Sequence, residues 1–157
     1  MSELLEKILD KKNMNEAYKK VCANKGAGGV DGMETRELDG YIREKWDSIR
    51  EQIRKRSYEP QPVRRVEIPK PDGSKRKLGI PTVMDRVIQQ GIAQVISPMC
   101  EPLFSDSSYG FRPNRSCEMA VREMLVFLNE GYEWIVDIDL EKFFDSVPQD
   151  RLMSLIH

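Results

Sequence analysis

The stretch Trp134-Ile135-Val136-Asp137-Ile138-Asp139-Leu140 constrains this 157-residue chain more than any other. It opens as an apolar, β-branched run, which reads as a buried strand. Side chains alternate faces along a strand, so Asp137 and Asp139 share one face and Val136 and Ile138 the other. Carboxylates at the end of a buried strand are costly unless a partner offsets them. A hard divalent cation on oxygen ligands is the usual partner. Phe143 and Phe144 follow within a few residues, so an acid and an aromatic wall meet in one short segment. That combination suits a metal-bound nucleotide.

The chain is long enough for one ordinary domain with its own core. Hydrophobic residues make up 39% and charged residues 32%, a mixture that excludes wholesale disorder. No apolar run approaches the roughly 20 residues that cross a bilayer, and the first residues lack a signal peptide's apolar segment, so a cytoplasmic protein is expected. Cys22, Cys100 and Cys117 are far apart and form no C-x-x-C pair, which suggests free thiols rather than zinc ligands or disulfides. The net charge of −1 hides a division along the chain. Residues 50–86 hold eleven Lys or Arg against five acids, a net of +6, whereas residues 87–157 sum to −6. A basic middle beside an acidic end fits a phosphate-binding surface facing a metal site, and equally a solvated charged face.

The local signals come in a definite order. Residues 2–12 predict a short helix, and Asn13 or Asn15 would cap a second one to about Ala23. Gly26, Gly28, Gly29 and Gly32 then make a loop, either a plain connector or one whose backbone N–H groups approach a phosphate. Thr35 looks like the cap of an amphipathic helix with Leu38, Tyr41, Ile42, Ile49 and Ile53 on one face, ending near Arg54. The cations Arg54, Lys55 and Arg56 suit either the negative helix end or RNA. Val63 to Ile68 alternates as a strand, Lys70-Pro71-Asp72-Gly73-Ser74 is a turn, and Lys75 to Ile80 returns. Arg64, Lys70, Lys75, Arg76 and Lys77 therefore ride on a hairpin that could carry cations onto a triphosphate. Thr82 caps a helix with Val87, Ile88, Ile92, Val95 and Ile96 as its buried stripe, closed by Pro98 and Pro102. A polar and aromatic loop, a helix capped by Ser116, the acidic strand and a last short helix over 148–156 complete the order.

In sequence, four stretches resemble the N-terminal part of group II intron-encoded reverse transcriptases, the intron maturases. Residues 24–32 look like the extension before the fingers. Residues 68–81 with Asp85-Arg86 look like the fingers hairpin. Ser108-Tyr109-Gly110-Phe111-Arg112-Pro113-Asn114-Arg115-Ser116 looks like the next fingers block, and Asp139 to Asp145 looks like the first catalytic motif of the palm. The resemblance implies an α+β fold: an N-terminal extension over 1–34, helix-rich fingers with a β-hairpin over 35–131, and the start of a palm over 132–157. It implies an RNA-directed DNA polymerase using Mg²⁺, with RNA template, intron RNA, DNA primer and deoxynucleoside triphosphates as partners. Asp139 would be the first metal-binding carboxylate, with the Leu140 carbonyl sharing the ion. Two such ions about 4 Å apart would activate the primer hydroxyl and stabilise pyrophosphate. Phe144 would be the steric gate against ribose, and Lys70 and Arg76 would grip the triphosphate. Lys25, Arg54, Lys55, Arg56, Arg64, Arg112 and Arg115 are the candidate RNA contacts. Arg112 would bind template or brace the fingers, and Asp137 has a supporting role at most.

The family's second palm motif, usually Tyr-Ala-Asp-Asp, is absent here. Asp139 alone offers too few ligands for two cations. The chain is therefore expected to be inactive alone, and to pair with the rest of the polymerase or self-associate as a homodimer through an open strand edge. The alternative reading is an RNA-binding splicing module without catalysis of its own. A D-x-D reading of Asp137-Ile138-Asp139, as in metal-dependent glycosyltransferases, leaves the basic hairpin without a role.

Overall fold

A computed structural model describes residues 3–71, 73–140 and 143–156. The chain divides into two compact units, residues 1–105 and 106–157.

The first unit holds α1 (Glu3–Leu9), α2 (Lys11–Ala23), α3 (Leu38–Arg54), β1 (Arg64–Pro69), β2 (Lys75–Ile80), α4 (Val83–Cys100) and a 3-10 turn (Glu101–Leu103). Its core is where the helical periods converge. Met14, Ala17 and Val21 come from α2, Leu38 and Ile49 from α3, and Val83, Met84 and Val87 from α4. Leu38, Val83 and Val87 are fully buried; each such side chain contributes about 1.5–3 kcal/mol. At Gly91 an added Cβ would lie 2.8 Å from Met14 Sδ, so a hydrogen there lets α2 pack close on α4.

Helix boundaries depart from the expected ones for identifiable reasons. The cap of α2 is Asp10, whose carboxylate accepts from Lys12 N at 2.9 Å and Asn13 N at 3.3 Å. Asn13 sits inside α2 and uses its amide elsewhere, donating to the carbonyls of Ile8 at 2.7 Å and Gly91 at 3.0 Å. An anion serves the positive helix end better than a neutral amide, which is left to bridge helices. Thr35 begins a turn rather than α3; the helix starts at Leu38 after Glu37, which makes no side-chain cap bond. Thr82 caps α4 as expected, but the helix runs through Pro98 to Cys100. In the last turn a proline removes only one ladder bond, so the helix survives it. Burial also falls on the first half of α4, and Ile92 and Ile96 remain partly exposed.

β1 and β2 form the antiparallel hairpin predicted from the turn, in the register Arg64↔Ile80 to Pro69↔Lys75. It is the sheet of the described residues. With the helices it gives the α+β class.

In the second unit, Ser116 caps α5 (Cys117–Asn129) by accepting from Met119 N at 3.3 Å. Gly131 leaves the helix at φ +96°. Two short helices follow, α6 (Phe143–Ser146) and α7 (Gln149–Ile156). None of this unit's residues whose burial is described is buried. The strand expected from Trp134 onward is not formed: residues 133–140 have no assigned secondary structure, and Trp134 is 93% and Val136 80% exposed. A strand is stabilised by ladder bonds and by neighbours on its faces, and among the described residues nothing pairs with this segment.

Candidate functional site

The hairpin presents its cations on different faces. Pairs in register share a face, so Arg64, Val66, Ile68, Arg76, Leu78 and Ile80 lie on one side and Arg65, Glu67, Lys75 and Lys77 on the other. Lys75 Nζ is held by Glu67 at 2.8 Å. Among the described residues no ion pair holds Arg76. Lys70 closes the turn through its backbone, donating its N–H to Ser74 O at 2.8 Å and accepting from Gly73 N at 3.0 Å, which leaves its exposed ammonium at the tip.

The hairpin's root is built on Asp85, which the motif reading placed in the fingers stretch without giving it a role. This carboxylate is 2% exposed. It accepts from Tyr58 Oη at 2.6 Å, Gln61 N at 3.1 Å and Thr82 Oγ1 at 2.6 Å, while Thr82 Oγ1 accepts from Asp85 N at 3.2 Å. Burial, and then the bond donated to Asp85, push the Tyr58 phenol well above its ordinary value. The signal in sequence was Thr82-x-x-Asp85, a threonine cap with an acid three residues on.

The glycine loop packs on the same place. A Cβ at Gly29 would lie 2.6 Å from Thr82 Cα, and one at Gly26 2.3 Å from Arg86 Nη1. Arg86 donates to Ala27 O at 2.7 Å. Close approach of backbone therefore accounts for Gly29, whereas Gly26 faces only the end of the long Arg86 side chain. Lys25 and Arg64 line a cavity of about 380 Å³ on this loop, and no ion pair holds either among the described residues.

The other candidate cations divide by what they touch. Arg54 clasps Glu6 through Nε at 3.1 Å and Nη2 at 2.8 Å and also meets Glu51 at 3.1 Å, tying α1 to α3. The Arg54 bond holds the Glu6 carboxyl below its ordinary range. Lys55 and Arg56 follow the helix end with no ion pair among the described residues, Arg56 at φ +57°. In the second unit Arg112 donates to Ser108 O at 2.9 Å. Arg115 donates to Asp106 O at 2.8 Å and lies 5.3 Å over the Tyr109 ring, while Tyr109 donates to Glu123. Both arginines thus brace the loop that precedes α5.

Asp139 is exposed and accepts from Leu140 N at 2.9 Å. Phe144 is exposed on α6, its ring 5.5 Å from that of Phe143. Asp137 is exposed too. Glu141 and Lys142, within the expected motif, and Asp72, within the turn, lie outside the described residues.

Residues 68–157 match the family described as reverse transcriptase (RNA-dependent DNA polymerase). The chain belongs to the reverse transcriptase family. Its relatives include a group II intron-encoded protein. It is 37% identical to the group II intron-encoded protein LtrA of Lactococcus lactis subsp. cremoris over 142 residues, 90% of this chain and 23% of LtrA. It is 34% identical to protein YkfC of Escherichia coli over 162 residues, 99% of this chain and 42% of YkfC. The uncharacterized 91 kDa protein in the cob intron of Schizosaccharomyces pombe is 36% identical over 141 residues, 89% of this chain and 17% of its own length. The chain thus spans less than half of each of these relatives.

The residues that match the family run from Ile68 of β1 through Asp139 and Phe144. The Asp139 carboxylate and Leu140 carbonyl are hard oxygen donors of the kind Mg²⁺ takes, yet two donors fall short of the roughly six it needs. Among the described residues no group of three or more His, Cys, Asp or Glu is placed to hold a metal ion. No helix of the described residues is long and apolar enough to cross a membrane.

Proposed function

We propose that this chain contributes the nucleotide-gripping and first metal-binding parts of an RNA-directed DNA polymerase that copies RNA into DNA. The observation that carries this reading is the family match running unbroken from the hairpin to Asp139 and Phe144. Residues 1–34 act as an extension, 35–131 as fingers and 132–157 as the start of the palm. Asp139 and the Leu140 carbonyl would hold Mg²⁺ together with donors from the nucleotide, from water and from carboxylates beyond this chain. The ion supplies charge stabilisation and a more acidic primer hydroxyl. Lys70 and Arg76 contact the triphosphate, as a point charge and a fork of donors. Phe144 excludes ribose by placing its ring where a 2′-hydroxyl would lie. The deciding experiment is primer extension on RNA with Mg²⁺ by the polymerase that contains this chain. Asp139→Ala abolishes extension; retained activity overturns the assignment.

The chain also binds intron RNA and supports splicing, as a maturase does. This second role is favoured by the net +6 of residues 50–86 and by Lys25 and Arg64, which no ion pair holds among the described residues. The two roles are compatible, because they call on different residues of the chain.

A further inference from the structure

Among the described residues, the hairpin is an arm whose side-chain hydrogen bonds to the core helix gather at its root. Both strands are largely exposed, and so are Lys70 and Arg76. Arg64 pairs with Ile80, so the open end of the hairpin lies between Gln61, on the way into β1, and Thr82, on the way out of β2. Asp85 holds both sides: Oδ1 takes the Tyr58 hydroxyl, and Oδ2 takes Gln61 N–H and the Thr82 hydroxyl. Asp85 itself is fixed in the first turn of α4, among the buried residues Val83, Met84 and Val87. A single buried carboxylate therefore joins the two stems of the hairpin to the core helix.

We propose that Asp85 is a positioning residue that sets the direction in which the hairpin leaves α4, and with it where Lys70 and Arg76 reach. This rests on the reading that those two cations contact a nucleoside triphosphate. The chemistry requires an anion. Three donors converge on two oxygens, and a carboxylate accepts at both. An amide of the same shape accepts at one oxygen only. With that oxygen on Gln61 N–H and Thr82, its NH₂ faces the Tyr58 hydroxyl, which must turn to accept. Asp85→Asn therefore keeps the volume but removes the charge and weakens the joint.

The test is hydrogen exchange across the full chain, read by mass spectrometry on Asp85→Asn and Tyr58→Phe. Amides over 61–80 exchange about tenfold faster or more in Asp85→Asn, the scale of one lost charge-assisted hydrogen bond. Amides around Ala17, Val21 and Val87 keep their protection. Equal acceleration of hairpin and core, or none in the hairpin, overturns the proposal. If Asp85→Asn fails to fold, Tyr58→Phe is judged by the same criterion. In primer extension by the polymerase that contains this chain, Asp85→Asn raises KM for the deoxynucleotide and leaves kcat in place. The Lys70→Ala, Arg76→Ala double variant separates the two readings. Unchanged KM in that variant removes the triphosphate role, while the exchange result still judges the joint. Raised KM there beside unchanged KM in Asp85→Asn overturns the positioning role.

Discussion

At the scale of residues, Tyr58 carries the clearest pH signature in the chain. Its phenol is half-buried and donates to Asp85, so folding favours the protonated form. A folded pKa raised above the unfolded value means that this contribution is whole below about pH 10 and is lost as pH rises past it. Denaturant melts of the wild type therefore show stability falling above about pH 10. In Tyr58→Phe that part of the fall disappears, although the variant is less stable at neutral pH because one Asp85 oxygen loses its donor. A pH slope identical in both proteins would refute the argument. Phe144 makes a different kind of prediction. Phe144→Ala in the intact polymerase admits ribonucleotides with little effect on deoxynucleotide use, and unchanged sugar discrimination removes the gate.

At the scale of elements, the glycines show what sequence alone conveyed and what it did not. The 26–32 loop was legible as irregular, but its reason was not: Gly29 lies against the backbone of Thr82, more than fifty residues on. Gly29→Ala would force a Cβ to within 2.6 Å of Thr82 Cα, an overpacking that costs about 1–3 kcal/mol. Gly40, on α3, has nothing within 4 Å of an added Cβ. Gly40→Ala therefore stabilises by up to about 1 kcal/mol, because alanine loses less backbone freedom in a helix. Thermal or urea melts of the two variants should move in opposite directions. The hairpin was legible for a local reason, a Pro-Asp-Gly turn between alternating strands. The helices capped by Thr82 and Ser116 were legible because their caps are adjacent in sequence. The acidic segment was not, because a strand is defined by a neighbour that local sequence does not name. Asp85 was named in the fingers stretch, but its role was not legible because its partners Tyr58 and Gln61 meet it only in the fold.

At the scale of the whole molecule, the distribution of cations makes a prediction about RNA that separates structural from binding charges. Net charge is −1, yet residues 50–86 carry +6, so binding depends on where charge lies rather than on its sum. Arg54 is already committed to Glu6 and Glu51, whereas Lys25, Lys55, Arg56 and Arg64 have no ion pair among the described residues. Cations that meet phosphates release counterions, so affinity for intron RNA falls with salt. Reversing Lys25 and Arg64 to glutamate lowers affinity across RNA sequences and reduces the salt slope by about one for each phosphate no longer neutralised. Arg54→Glu behaves otherwise. It places three acids together, loosens α1 from α3 and lowers the melting temperature, while the salt slope of the protein that remains folded barely changes. Titrations of a fluorescent intron RNA at several salt concentrations, paired with melts of each variant, check both halves. A salt slope that Lys25 and Arg64 do not affect would move the RNA surface off the glycine loop, and a slope carried by Arg54 would mean that its pairing with Glu6 yields to phosphate.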